Sequence, residues 1–319
     1  MSKVGIIGTG KLGTRLAEQL VLDGHFDEIW LWNRSPEKLR GTILSLNIWA
    51  SLLKTKTKII QLDWNSLESL EIIVIAIKEQ YDPRILLRES PPPTWIPQQL
   101  RYAGLLRDLP QVKGICGKLI SYRGIVAVVT NPVDIITSFT YHCLPQAKIF
   151  GLGSSVDSAR LSYIASEKLG CTLDHQNIPV GGEHGHHIVP LTSLWNLNQD
   201  LHDAIKKRVS EWANIANELG IRIVSDLGYT LQDCAVTFSR DISWLSGKIP
   251  NQRYAVFSVP NEIASVGSPV SFEDDSTIKV RFDSLSDSEY RQIETARSQI
   301  SSLVTQLKEN FRLNWQPEI

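Results

Sequence analysis

The sequence predicts an α/β fold, with a parallel sheet covered by helices on both faces and a second, α+β unit after it. Three observations lead there. Short β-branched runs alternate with helical stretches through the first half of the chain, the order that puts crossover helices on both sides of a parallel sheet. Ile125–Val129 is a continuous apolar run, as in a strand covered on both faces. A glycine triplet, Gly8, Gly10 and Gly13, follows the first expected strand and opens the first expected helix.

In chain order, Val4–Ile7 reads as a strand and Leu12–Leu22 as the helix after it. Glu28–Trp32 reads as the second strand, with a helix from Pro36, and Lys58–Leu62 and Ile72–Ile77 as further strands. The second half changes character. Val156–Leu169 reads as a helix, followed by a Gly- and His-rich stretch at Gly181–His187. Between Asp203 and Leu219, the residues Ile205, Val209, Trp212, Ala216 and Leu219 step by four, three, four and three, which is one face of a helix. Thr230–Leu245 reads as another helix, and strands are expected near Tyr254–Val259 and Thr277–Phe282. Ser286 and Glu289 form a capping box opening a last helix that should bury Ile293, Ile300, Leu303, Leu307 and Phe311. These features divide the 319 residues into a first unit, 1–150, and a second unit, 151–319. One segment, 78–100, breaks the rhythm with Pro91, Pro92, Pro93 and Trp95.

Composition excludes several classes. Lys plus Arg total 33 against 34 Asp plus Glu, without the basic excess a nucleic-acid binder needs. The longest strictly apolar run, Ile72–Ile77, has six residues, far short of the roughly 20 of a membrane span. The MSKVGIIG terminus lacks a signal-peptide core. The four cysteines, Cys116, Cys143, Cys171 and Cys234, show no zinc spacing and read as reduced thiols of a cytoplasmic protein.

Gly8-Thr9-Gly10-Lys11-Leu12-Gly13 is a G-x-G-x-x-G between strand and helix, the fingerprint of a Rossmann-type nucleotide site. Its glycines allow the tight turn, the approach of a pyrophosphate and helix–strand packing, and the helix amino terminus offers N–H groups to phosphate. Twenty positions after Gly13, NAD-binding chains usually carry an acid for the ribose 2′-hydroxyl. Here stand Asn33, Arg34 and Ser35, which offer an amide, a guanidinium and a hydroxyl to a 2′-phosphate. The expected cofactor is NADP(H), with NAD(H) as the alternative.

Four further segments, RYAGLLRD from Arg101, TNPVD from Thr130, VDSAR from Val156 and GEHG from Gly182, complete a set. With the glycine motif, their order and spacing resemble the L-lactate and L-malate dehydrogenase family, from residue 3 to about residue 310. The chemistry of the residues agrees. His184 is the sensible proton donor and acceptor for a ketone–alcohol interconversion, and Arg160 offers a planar two-donor fork to a substrate carboxylate. Asp157 and Arg160, three apart on one expected helix, share a face. The resemblance implies that Asp157 orients His184 and that Asn131 contacts the substrate carbonyl side and the nicotinamide. It places Thr230 near the substrate, although a helix N-cap explains that residue equally well. It also implies an arginine on a mobile loop that polarises the carbonyl. Arg84 and Arg101 compete for this role, and Arg101 is preferred because Arg107 and Asp108 follow it as in the family pattern.

Segment 78–100 departs from the family where lactate is told from malate. Either Lys78, Arg84 or Arg88 meets a second carboxylate, or apolar residues such as Leu86, Leu87, Trp95 and Ile96 make room for a bulky side chain. The second is preferred, and it resembles the extended lid of L-2-hydroxyisocaproate dehydrogenase. The expectation is therefore an NADP-linked oxidoreductase of 2-oxo and 2-hydroxy acids, working as a homodimer or homotetramer. Lactate- or malate-type enzymes, an imine-reducing relative and a non-catalytic nucleotide sensor are the alternatives. His186 and His187 are expected to be site-lining or polar loop residues without a metal, for lack of a carboxylate or Cys partner at ligand spacing.

Overall fold

The computed structural model describes residues 2–249, 252–311 and 315, so the final stretch of the expected 151–319 unit lies partly outside the described residues. The first part contains β1 (Lys3–Ile7), α1 (Lys11–Asp23), β2 (Glu28–Trp32), α2 (Pro36–Leu52), β3 (Lys58–Gln61), β4 (Ile72–Ile75), α3 (Pro83–Glu89), α4 (Leu105–Lys118), β5 (Ile125–Val128), α5 (Val133–Cys143) and β6 (Lys148–Gly151). Then come α6 (Ser154–Leu169), β7 (Val180–Gly182), β8 (Ile188–Pro190), α7 (Gln199–Lys206), α8 (Val209–Leu227), α9 (Gln232–Leu245), β9 (Ala255–Val259), β10 (Val266–Phe272), β11 (Ile278–Val280) and α10 (Asp287–Asn310).

The strands lie in the order β3-β2-β1-β4-β5-β6-β9-β10-β7-β8, with β11 on β10. The first six are parallel, with Ile7 opposite Trp32 on one side and Ile75 on the other. The order reverses between β1 and β4, the point where open α/β sheets bind ligands beyond the carboxyl ends of their strands. Every residue of β4 is buried, which explains its uninterrupted apolar sequence. One face carries α1, α2 and α9, through Leu16, Leu20, Leu39 and Phe238. The other carries α4, α5 and α10, through Leu109, Val112, Phe139, Ile300 and Leu307. The sheet continues antiparallel through a single β6–β9 pairing, Gly151 opposite Ser258.

Local chemistry explains the boundaries. Ser35 caps α2 ahead of Pro36 at its first turn, where a missing N–H costs nothing. The capping box on α10 forms with both of its bonds, and Ile293, Ile300, Leu303 and Leu307 are buried as expected, with Phe311 half-buried. The expected helix over Asp203–Leu219 is corrected to two. Asn198 caps α7 with a bond from the Leu201 N–H, the chain turns at Lys207 and Arg208, and α8 continues to a left-handed Gly228. The apolar periodicity could not reveal this break, because Ile205, Trp212 and Ala216 still meet in one cluster. Segment 78–100 packs, as its apolar residues suggested. Asp82 caps α3, Leu86 is buried and Ile96 is fully buried. The four cysteines are thiols, and among the described residues no helix is long and apolar enough to cross a membrane.

Candidate active site

A cavity of about 980 Å³ opens at the carboxyl ends of β1, β4 and β5. Gly8 to Leu12, Asn33 to Ser35, Asn131, Arg101, Arg160, His184 and Thr230 all line it. The glycines behave as the motif requires. Gly8 has φ +108°, and a Cβ there would overlap the Ala76 carbonyl. A Cβ at Gly13 would overlap the Gly8 carbonyl oxygen, whereas Gly10 faces open space within 4 Å. A cradle with room only at the middle glycine, at the start of α1, fits a dinucleotide pyrophosphate.

At the end of β2, the Asn33 amide donates to Thr9 Oγ1 at 2.9 Å and accepts from the Ser35 N–H at 2.9 Å. Asn33 therefore ties the glycine loop to the start of α2. Ser35 caps that helix. Arg34 is not a bare surface charge. Its two terminal nitrogens lie 2.9 and 3.4 Å from the Glu79 carboxylate, at the root of the 78–100 segment.

The catalytic candidates converge from three elements. Asp157, in the first turn of α6 and 2% exposed, lies 2.8 Å from His184 Nδ1 and accepts the Gly185 N–H at 3.2 Å. Engaging Nδ1 leaves Nε2 for the cavity. A residue not singled out from the sequence holds the loop from behind. Buried Asp134 accepts the His184 N–H at 3.0 Å and the Ser258 hydroxyl at 2.5 Å. Burial raises the Asp134 carboxyl above its ordinary value, against these bonds and His184. Asp134 belongs to the TNPVD motif, so its position was visible and its partner was not.

Arg160 lies where a substrate carboxylate would be held, but its fork is partly taken. Nη2 donates to Asp233 Oδ2 at 3.0 Å, Nη1 is 3.8 Å from Asp157 Oδ1, and buried Nε has no partner. Gly220 of α8 makes room, since a Cβ there would overlap the guanidinium. Asp233 carried no sequence signal, because its contact is made only by packing α9 against α6.

Of the two arginine candidates, Arg101 is at the site and Arg84 is not. Arg84 pairs with Asp82 and donates to the Ser225 and Asp226 carbonyls, fastening α3 to the carboxyl end of α8. Arg101 is folded onto the His184 loop rather than held free. It donates to the His184 carbonyl and pairs with Glu183, while Tyr102 donates to the same carboxylate at 2.7 Å. Asp108, seven residues on, anchors the base of the 78–100 segment. It accepts the Glu79 N–H at 2.8 Å and the Tyr81 hydroxyl at 2.5 Å, and burial pushes its carboxyl up to about 6. Thr230 is not the N-cap of α9. That position is Leu231, and the Thr230 hydroxyl lies 3.2 Å from Cys234 Sγ. The expectation that His186 and His187 lack a nearby carboxylate is also corrected, since His187 Nδ1 lies 3.1 Å from Glu183 Oε2.

A family model described as NADP oxidoreductase coenzyme F420-dependent matches residues 3–90. The L-lactate dehydrogenase B chain of Anguilla rostrata is 28% identical over 242 residues, covering 72% of this chain and 68% of that one. The B chain of Xenopus laevis is 30% identical over 191 residues, 58% of this chain and 52% of that one. Against the Danio rerio B-A chain and the Bacillus velezensis enzyme the match spans 59% of their length. Among solved structures, a lactate dehydrogenase from a Medee basin deep-sea metagenome superimposes with a TM-score of 0.79 at 20% identity, covering 96% of this chain and 99% of that one. Cryptosporidium parvum malate dehydrogenase gives 0.76 at 20% identity, covering 97% and 99%.

Proposed function

We propose that this chain is a member of the 2-hydroxyacid dehydrogenase (lactate and malate dehydrogenase) superfamily and interconverts a 2-oxo and a 2-hydroxy acid with NADP(H). The single observation that carries the activity is the His184–Asp157 pair at 2.8 Å, in the cavity that also holds the glycine cradle and Arg160. The nicotinamide, when bound, supplies or accepts the hydride. His184 gives its proton to the forming alkoxide, or takes it in the reverse direction. Buried Asp157 fixes the tautomer through Nδ1 and balances the charge when both ring nitrogens are protonated. Asp134 holds the backbone of that histidine. Arg160 receives the substrate carboxylate on the donors that Asp233 leaves open. Arg101 leaves Glu183 and turns toward the carbonyl as the 78–100 segment closes and excludes water.

The cofactor reading rests on the absence of an acid at the end of β2 and on Arg34 and Lys38 at the cavity wall. The family model for residues 3–90, whose description names NADP, also supports it. The proposed substrate carries a bulky or apolar side chain. Of the cations that might read a second carboxylate, Arg84 is spent on α8 and Arg88 pairs with Glu89 at the surface. The segment lines the cavity with Tyr81, Pro83, Leu87 and Leu100 beside polar Glu79, Gln80, Gln98 and Gln99, and Lys78 lies over the Tyr81 ring at 4.4 Å. Of the apolar residues expected to make room, Leu87 lines the cavity, whereas Leu86, Trp95 and Ile96 pack away from it.

The test follows nicotinamide absorbance with NADPH and NADH against pyruvate, oxaloacetate, 2-oxoisocaproate and phenylpyruvate. Turnover with NADPH and the bulky acids is expected. Best turnover with oxaloacetate would move Lys78 to the substrate. Tight NADPH binding without turnover of any acid would favour an imine substrate or a nucleotide sensor.

A further inference from the structure

The loop that carries His184 also carries a cluster in which Glu183, the resting partner of Arg101, meets two histidines that have no part in the proposed hydride transfer. Glu183, His186 and His187 each offer a ligand atom, and these atoms lie within 4.8 Å of one another. Among the described residues no other set of three such side chains meets this spacing. Glu183 is 3% exposed, and its Oε1 is held by Tyr102 and Arg101. That fixes the carboxylate with Oε2 toward His187 Nδ1 at 3.1 Å. The two imidazoles are exposed, with ring centroids 4.1 Å apart. A rigid buried carboxylate faced by two adjustable imidazoles is a ligand set open to solvent on one side.

We propose that Glu183, His186 and His187 form a site for a borderline divalent cation, with Zn²⁺ as the type and Co²⁺ and Ni²⁺ as analogues. Two nitrogen donors and one oxygen suit these ions rather than Mg²⁺ or Ca²⁺, which prefer oxygen alone. Bond lengths of about 2.0–2.1 Å put tetrahedral ligand atoms roughly 3.3 Å apart. The 3.1 Å Glu183–His187 separation already meets that, and rotation of exposed His186 supplies the rest. Water or another small ligand completes the shell. The Arg101 guanidinium on the opposite carboxylate oxygen opposes a second cation, so the site is exchangeable rather than permanent. Because the ion and Arg101 share one carboxylate, occupancy loosens the tie between Arg101 and the His184 loop.

The experiment is calorimetric titration of chelator-treated full-length protein with Zn²⁺, and visible spectroscopy with Co²⁺. It reads binding alone and so does not depend on the proposed oxidoreductase activity. One saturable site is expected, with d–d bands of low-coordinate Co²⁺. His186→Ala and His187→Ala should each weaken it by about tenfold or more, the double variant should lose it, and His202→Ala, whose ring nitrogens meet Asp203 and the Thr192 carbonyl outside the cluster, should keep it. The exposed histidines are chosen because replacing buried Glu183 endangers the fold. No saturable site, or a site retained in the double variant, would overturn the proposal.

Discussion

Replacing Glu79 by glutamine should sharpen the preference for NADPH. The Glu79 carboxylate grips Arg34 with contacts of 2.9 and 3.4 Å. The pair is open to solvent, with Arg34 56% and Glu79 26% exposed, so in the free protein it contributes less than about 1 kcal/mol. Its effect on the cofactor is larger. A 2′-phosphate carries close to two negative charges and must share Arg34 with a carboxylate on the same guanidinium. Repulsion between a single and a double charge about 8 Å apart is roughly 1–2 kcal/mol before salt screening, at the water-like effective dielectric of about 40–80 that suits so exposed a pair. Removing it should tighten NADPH by a factor of about 5–30 at low ionic strength and leave NADH nearly unchanged, since NADH has no charge at that position. Arg34→Ala should do the opposite, weakening NADPH and sparing NADH. The assay is fluorescence titration of both nucleotides at two salt concentrations, where added salt should shrink the Glu79→Gln gain. An unchanged NADPH-to-NADH ratio in Glu79→Gln, or equal losses for both nucleotides in Arg34→Ala, would refute the assignment of this corner to the 2′-phosphate.

Other outcomes follow from the same geometry. Asp157→Asn should lower kcat by about 10²–10⁴ and His184→Ala should abolish turnover, with cofactor Kd nearly unchanged in both; a parallel loss of cofactor binding would count against these roles. Gly13→Ala places a Cβ on the Gly8 carbonyl and should destabilise the chain by about 1–3 kcal/mol, with weaker nucleotide binding, as read by denaturant midpoints and titration. The Asp108 carboxyl is raised by burial from 3.8 to about 6, so the folded state holds its proton more tightly than the unfolded state. Its contribution to stability is full below about pH 3.8 and is lost as pH rises through about 6, on the order of 3 kcal/mol in all. Asp108→Asn should flatten melting temperature against pH across that window and gain on the parent above it; identical profiles would show that Asp108 is not the group responsible.

Local order was legible in the chain because it depends on near neighbours. The glycine triplet, the buried run of β4 and β5, the Ser286–Glu289 capping box and the three-residue step from Asp157 to Arg160 are short-range patterns, and each took the conformation its spacing demanded. Where the pattern was blind, the reason is physical. The break between α7 and α8 leaves the apolar spacing unchanged, so only the local turn at Lys207 and Arg208 shows it. The strand order across the sheet, and with it the crevice between β1 and β4, is a property of the packed chain.

The sequence by itself determined which side chains are available for chemistry: His184, Asp157, Arg160, Arg101 and the Asn33–Ser35 corner. Tertiary structure decided what each of them faces. Arg34 meets Glu79, Arg101 meets Glu183, Arg160 meets Asp233 and the His184 backbone meets Asp134, across separations of 45, 82, 73 and 50 residues. A charge fixes its partner by distance in space, and distance in space between remote segments is set only when the sheet, the helices on it and the 78–100 segment close together.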